Sequence, residues 1–211
     1  MNTGGRQFGV SENGSIDSLT GYPEYHAVVW RHGVLSDLGT LGGTVSQAFA
    51  VNNQGQVVGV TTNAVPDQYA SGLGPCTTWN CWTVTTQQRA FLWGGGKLRD
   101  LGTMGGNDAV AYLVNEGGQV AGVSYTNTTP NPTTGLPTQD PFLWDRGRMV
   151  DLGSSGGTWG VAFSLNNRGQ VTGYSNLAGD QLLHPFLWDR GVLTDLGTLG
   201  GDSAYGAWAQ R

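Results

Sequence analysis

The stretch HAVVWRHGVLSDLGTLGGTVSQAFAVNNQGQVVGVT (26–61) decides the fold. It occurs again as RAFLWGGGKLRDLGTMGGNDAVAYLVNEGGQVAGVS (89–124) and as DPFLWDRGRMVDLGSSGGTWGVAFSLNNRGQVTGYS (140–175). A fourth copy, HPFLWDRGVLTDLGTLGGDSAYGAWAQR (184–211), breaks off before its last segment. The missing piece is expected at the other end. There QFGVSENGSIDS (7–18) aligns with AFAVNNQGQVVG (48–59), with Ser11 in place of the motif Asn and Ser18 in place of its Gly. The tryptophans that anchor the copies, Trp30, Trp93, Trp144 and Trp188, lie 63, 51 and 44 residues apart, so the unit is constant and one connection varies.

Each unit reads as four short strands: A (46–52), B (56–60), C (27–30) and D (34–39) in the first copy. The cuts follow from turn chemistry. Asn-Asn-Gln-Gly, Asn-Glu-Gly-Gly or Asn-Asn-Arg-Gly separates A from B, and Arg-His-Gly, Gly-Gly-Gly or Asp-Arg-Gly separates C from D, with Gly supplying positive φ in tight hairpins. GTLGG, GTMGG or GSSGG links D to the next A, which suits close backbone approach. Four such units without helical periodicity predict an all-β fold, a four-bladed β-propeller of about four-stranded antiparallel blades. The N- and C-terminal strands are expected to close the ring, which removes edges that an open stack would expose. A solenoid is the alternative. The repeat units run at about 7–45, 46–106, 107–157 and 158–211 within one domain, with long insertions at 62–88 and 125–139. A copy of strand A is read at both ends (7–11 and 203–209), which leaves two alternatives, a tail at one end or a fragment of a longer array.

Composition agrees with this frame. Of 211 residues, 36 are Gly, well above average usage, yet 8 Trp, 7 Tyr and 6 Phe are too many large side chains for a linker. The net charge of −5 and the absence of a basic run exclude nucleic acid or an anionic membrane surface as partner. No transmembrane span is readable, and the opening MNTGGRQFGVSENGSIDSL has neither a charged nor an apolar leader region. Cys76 and Cys81, five residues apart in a Pro/Gly/Thr-rich stretch, read as a local disulfide or as two free thiols. No cofactor and no metal site are expected, since His26, His32 and His184 are not spaced with the cysteines for zinc.

The combination of H-A-x-x-W, D-L-G-T-L-G-G and N-x-x-G-Q-V-x-G resembles the HAF repeat, an extracellular repeat of bacterial proteins, over about residues 7 to 209. The resemblance implies a bacterial source, an extracellular or periplasmic location and a propeller-like β fold. It implies no defined activity. The chain departs from the pattern at Ser11, at Ser18 and at Gly206-Ala207-Trp208-Ala209.

In an A-B-C-D meander the A–B and C–D hairpins share one face, and the B–C loops and D–A passages share the other. The B–C loops are the variable ones (19–25, 62–88, 125–139 and 176–183), so their face is the candidate binding surface. Tyr69, Trp79 and Trp82 of the longest insertion, with Tyr22, Tyr25, Tyr125, Trp159, Tyr174 and Tyr205, are the candidate ligand-binding aromatics. Packing is the plainer reading of each. The repeated Asp37, Asp100, Asp151 and Asp195 are read as satisfying their own turns, Trp30, Trp93, Trp144 and Trp188 as inter-blade packing, and Asn52, Asn115 and Asn166 as structural. Glu24 with His26 is the least implausible catalytic couple, and no hydrolase, phosphate-loop or zinc-protease motif is present. The expected function is a secreted, monomeric binding module for a glycan or small molecule. A metal-independent enzyme of cyclase or isomerase type acting on a small apolar substrate, and a structural repeat, are the alternatives.

Overall fold

A computed structural model describes residues 5, 7–73 and 84–205. The fold is all-β: among these residues there are fifteen strands and one 3-10 turn, Ala70–Gly72. Unit I holds β1 (Gln7–Ile16), β2 (Pro23–Arg31) and β3 (Val34–Asp37); unit II holds β4 (Gly42–Val51), β5 (Val57–Pro66), β6 (Thr86–Gly94) and β7 (Lys97–Asp100). Unit III holds β8 (Ala109–Val114), β9 (Val120–Pro130), β10 (Pro137–Asp145) and β11 (Arg148–Asp151). Unit IV holds β12 (Gly156–Leu165), β13 (Val171–Leu177), β14 (Leu183–Asp189) and β15 (Val192–Asp195). Within every unit consecutive strands pair antiparallel.

The units join in pairs. A parallel bridge between Tyr25 and Val45 links units I and II into a seven-stranded sheet, and one between Gln139 and Trp159 links units III and IV into an eight-stranded sheet. Among the described residues no strand pairing joins the two sheets, and none joins β1 to unit IV. The expected closed ring is therefore not present in these pairings, which form two sheets packed side by side.

The turns follow the sequence. The two-residue C–D turns carry positive φ at both positions, as in His32 and Gly33 (50° and 80°) or Gly95 and Gly96 (60° and 78°), the geometry that matches strand twist in a hairpin. The insertion at 125–139 is shorter as a loop than expected. The strands β9 and β10 extend to Pro130 and from Pro137, so most of 125–139 is an extended hairpin closed by Asn131 N–H donating to Leu136 O at 2.8 Å.

The first unit differs from expectation in register. Gln7 pairs with Trp30 and Gly9 with Val28, just as Val57 pairs with Trp93 and Gly59 with Phe91. Residues 7–16 are thus one strand in the B position, and Gly9 is the B-strand glycine; they are not an A strand, a turn and the start of a B strand. The local A-like pattern of QFGV misled because strand periodicity is the same for both, and only pairing partners separate them. Among the described residues no A strand pairs with β1, and Phe8 and Val10 are exposed there, whereas Val58 and Val123 in equivalent places are buried.

The core lies between units. Ala27, Val29 and Leu38 of unit I pack on Ala48, Val57 and Phe91 of unit II. Val58, Ala90 and Leu101 then meet Ala111, Phe142 and Trp144 of unit III, and Ala121, Leu143 and Leu152 meet Ala162, Phe186 and Trp188 of unit IV. Three anchor tryptophans, Trp93, Trp144 and Trp188, therefore pack on the preceding unit. A second link runs through the A–B turns. Asn52 Nδ2 donates to Asn115 O and Asn115 Nδ2 to Asn166 O, both at 2.9 Å, while each Asn Oδ1 accepts the backbone N–H of Gln56, Gln119 or Gln170 four residues on.

Strands A and B meet without room for a side chain. A β-carbon on Gly59, Gly122 or Gly173 would overlap the carbonyl oxygen of Gln47, Val110 or Val161, whereas one on Gly9 would meet only the edge of the Trp30 ring. Gly122→Ala and Gly173→Ala are each expected to cost about 3 kcal/mol or more, because backbone must move, and Gly9→Ala distinctly less. Urea unfolding of the three variants checks this; equal losses at all three positions would contradict the assigned register.

Candidate functional site

The repeat breaks its symmetry at the junction of units II and III. Tyr25 and Gln139, each five residues before an anchor tryptophan, make the parallel bridges to Val45 and Trp159. The equivalent pair at the middle junction is Gln88 and Asp108. There the Gln88 backbone N–H donates to the Asp108 side chain, Oδ1 at 2.6 Å, so a carboxylate stands where the other junctions use backbone. The break between the two sheets and the longest B–C connection thus fall at one place.

Around it the chain builds a polar shell. The loop after β5 turns at Asp67, whose Oδ1 accepts the Tyr69 N–H at 2.6 Å and whose Oδ2 accepts the Asn107 side-chain amide. Gln88 Nε2 donates to Ala70 O in the 3-10 turn. A β-carbon on Gly72 would fall on the Tyr125 hydroxyl, so this turn lies directly against Tyr125. Asp67, Gln68, Tyr69, Asn107 and Thr128 line an open cleft of roughly 460 Å³.

Behind the cleft wall the polar groups are not all satisfied. Among the described residues four buried side-chain oxygens have no hydrogen-bond partner, and three of them, Gln88 Oε1, Asp108 Oδ2 and the Tyr125 hydroxyl, belong to this junction. Buried polar atoms are normally paired, so a cluster of three sets this junction apart from the others. Burial pushes the Asp108 carboxyl up to about 7, and the neighbouring Asp67 charge adds to this, while the Gln88 N–H and Arg89 oppose it. Burial, then the charges of Asp108 and Asp67, raises the Tyr125 phenol well above its ordinary value. A carboxyl poised near neutrality can give or take a proton, and an aromatic wall with a carboxylate and an amide at its rim can hold a polyhydroxylated or polar molecule.

The other candidate residues are dispersed. Tyr22 is half exposed and lines a separate cleft of about 130 Å³ between units I and II, together with Asp17, Thr44 and Thr62. Tyr25 donates its hydroxyl to Glu12 Oε1 at 2.9 Å. Trp159, Tyr174 and Tyr205 come together with Phe163 on unit IV: the Tyr174 ring lies 5.6 Å from Trp159, 4.7 Å from Phe163 and 6.1 Å from Tyr205. Trp79, Trp82, Cys76 and Cys81, with the expected disulfide, lie outside the described residues.

Glu24 and His26 do not bond to each other. Asn13 Nδ2 bridges them, donating to Glu24 Oε2 at 2.9 Å and to His26 Nε2 at 3.2 Å. His26 Nδ1 is engaged by Asp37 Oδ2 at 2.8 Å, a contact that His184 repeats with Asp195 at 2.9 Å. The repeated aspartates also accept their own turn N–H groups, as Asp37 does from Gly39 at 2.7 Å and Asp100 from Gly102 at 2.8 Å. The sequence leaves Asp67 and Asp108 among the few titratable groups that the repeat does not explain, while Gln88 and Asn107 carry no such signal. The repeat aligns Asp108 with Val45 and Trp159, and the strand register adds that this position makes the inter-unit bridge at the other junctions.

No family model matches the chain, and no curated protein matches it. Among solved structures it is similar to the β-propeller domain of the trilobed protease from Pyrococcus furiosus, described as having an open velcro topology, at 10% identity and a TM-score of 0.54. The match covers 94% of this chain and 51% of that one, so the chain spans about half the length of this neighbour. The likeness shows the fold alone: the chain is an all-β, propeller-type structure.

Proposed function

We propose that the chain is a propeller-type binding module that holds a carbohydrate or small polar molecule in the cleft at the junction of units II and III. The coincidence that carries the reading is that Tyr69 and the Asp67–Asn107 pair line one cleft, at the one junction among the described residues where the backbone bridge gives way to a buried carboxylate. Tyr69 supplies a face for a sugar ring and Asp67 an acceptor for its hydroxyls. In this reading the four units are blades of a four-bladed propeller closed by a terminal strand. The HAF-type repeat is the ground for placing the module outside the cytoplasm, and the reading takes it as a monomer.

One observation favours a second reading. The Asp108 carboxyl, raised to about 7, suits general acid/base chemistry, which fits a metal-independent enzyme of cyclase or isomerase type on a small apolar substrate. It is enclosed behind the cleft wall, with 0% exposure, so the Asp67–Tyr69 turn would have to shift before substrate reached it.

A glycan array or a thermal-shift screen of small molecules tests the binding reading. Tyr69→Ala and Asp67→Ala are each expected to weaken a hit at least tenfold, a loss of about 1.4 kcal/mol. A ligand indifferent to both substitutions removes the cleft as its site.

The junction also sets a pH dependence. Because the folded Asp108 binds its proton more tightly than an ordinary carboxyl, its contribution is intact at low pH and declines as pH rises from about 4 through about 7. Asp108→Asn is therefore expected to be more stable than the parent at pH about 8, by on the order of 3 kcal/mol, and to narrow the gap at pH about 4. Urea unfolding at the two pH values checks the sign.

A further inference from the structure

The B–C connections of units I, II and III open on one construction. The Asp17 N–H donates to Tyr22 O at 2.8 Å, the Asp67 N–H to Thr85 O at 2.9 Å and the Asn131 N–H to Leu136 O at 2.8 Å. Each opening side chain accepts, through Oδ1, the backbone N–H two residues on, that of Leu19, Tyr69 or Thr133. Its other end reaches the passage into the next unit. Thr44 Oγ1 donates to Asp17 Oδ2 at 3.0 Å, the Asn107 amide donates to Asp67 Oδ2, and the Asn131 amide donates to Thr158 Oγ1 at 3.0 Å. Thr44, Asn107 and Thr158 each follow the Gly-Gly of the D–A passage, so the three contacts are equivalent. A side-chain clasp thus spans each of these junctions on the B–C face, with a carboxylate at the first two and an amide at the third.

Each carboxylate clasp walls a cleft: Asp17 and Thr44 the one of about 130 Å³ between units I and II, Asp67 and Asn107 the one of roughly 460 Å³ between units II and III. The two clefts abut. Thr85, an exposed residue at the end of the unit II hairpin, lines both, so this hairpin is a ridge with a cleft on either side. Their chemistry is alike. Each has a tyrosine and an aspartate on its wall, Tyr22 with Asp17 and Tyr69 with Asp67, and among the described residues no basic side chain lines either. Burial would raise the Asp17 carboxyl, but bonds from Leu19, Thr44 and Thr20 hold it below its ordinary value. It is therefore ionised at neutral pH and can only accept hydrogen bonds. Hydroxyls and an amide, from Thr62, Asn63 and Thr86, complete the polar lining on the ridge side of the first cleft.

We propose that the two clefts are subsites of one groove for a linear, neutral oligosaccharide, which crosses the ridge at Thr85 with one sugar ring against Tyr22 and another against Tyr69. The groove rests on the carbohydrate reading of the cleft between units II and III, and it narrows the ligand to a chain without acidic groups. Tyrosine rings offer faces for the C–H surfaces of sugars, and ionised carboxylates accept from sugar hydroxyls. The same carboxylates, with no lining cation beside them, repel carboxylate, sulfate or phosphate groups on a ligand. A chain long enough to reach both subsites makes its second contact within one complex, so its affinity rises steeply once that length is passed.

The test is calorimetric titration of the full chain with cello-, manno- and xylo-oligosaccharide ladders from disaccharide to octasaccharide. In at least one ladder the affinity is expected to rise about tenfold or more from the shortest member to the longest. Tyr22→Ala and Tyr69→Ala each return the octasaccharide to the level of the disaccharide, and Thr85→Arg, which sets a long side chain on the ridge, does the same. Tyr22 and Thr85 are exposed, so their variants keep the Tm of the parent, which separates loss of a subsite from loss of the fold. Affinity that is flat with length, or an octasaccharide held equally by Tyr22→Ala and the parent, overturns the shared groove and leaves the cleft between units II and III standing by itself. Tighter binding of a uronic or sulfated chain than of a neutral one overturns it as well. A parent that binds no member of the three ladders also overturns the groove, whereas an octasaccharide that needs Tyr22 and ignores Tyr69→Ala overturns both the groove and the cleft reading beneath it.

Discussion

A carbonyl oxygen of each A strand occupies the space where a β-carbon would stand on the facing B strand, and the repeat is built around that approach. It requires glycine at 59, 122 and 173, and it draws the A and B strands closer than a side chain would allow. Each contact sits beside a break in the antiparallel register, between Ala48 and Ala50, Ala111 and Leu113, and Ala162 and Ser164, so the bulge and the glycine form one device. With the strands thus placed, valines and alanines on both sides of each unit face the neighbouring units, and the C-strand aromatics fill what remains.

The units are then coupled by two repeated contacts of different kinds. Apolar packing through Trp93, Trp144 and Trp188 is non-directional and tolerates variation in what surrounds it. The asparagine relay from Asn52 to Asn115 to Asn166 is directional and fixes the height of one unit against the next. A third contact, the backbone bridge at the start of strand C, is made at the outer junctions and replaced by Asp108 at the middle one. The feature that carries the proposed function, the Asp67–Tyr69 cleft, lies at the edge of unit III, where Asp108 stands in the place of Val45 and Trp159.

Repetition explains which parts were legible in advance. A residue seen three or four times in one chain has its role averaged over several contexts, so the turn-satisfying aspartates, the packing tryptophans and the capping asparagines could be read as scaffold, and they are. The strand cuts at the Gly-containing C–D turns also held, because positive φ restricts the choice of residue. The first unit was misread for the opposite reason: it is a single degenerate copy, and QFGV satisfies the period of either strand. The aromatic candidates were chosen for breaking the repeat, a criterion that found Tyr69 and Tyr125 at the junction but scattered the others over units I and IV. Asp108 also stands out as a carboxylate the repeat does not explain, but its burial, which decides its chemistry, is visible only once its neighbours are known.

By itself the sequence determined the all-β class, the four-unit division and the residue types at each turn, because strand period, positive φ and self-similarity are properties of neighbours along the chain. Only the tertiary structure decided that residues 7–16 are a B strand, that the units pair into two sheets, and that Asp108 and Asp140 are buried without full partners. Those outcomes depend on which strands meet and on how much water each carboxyl keeps. Both are set between segments tens of residues apart, where a linear pattern carries no distance.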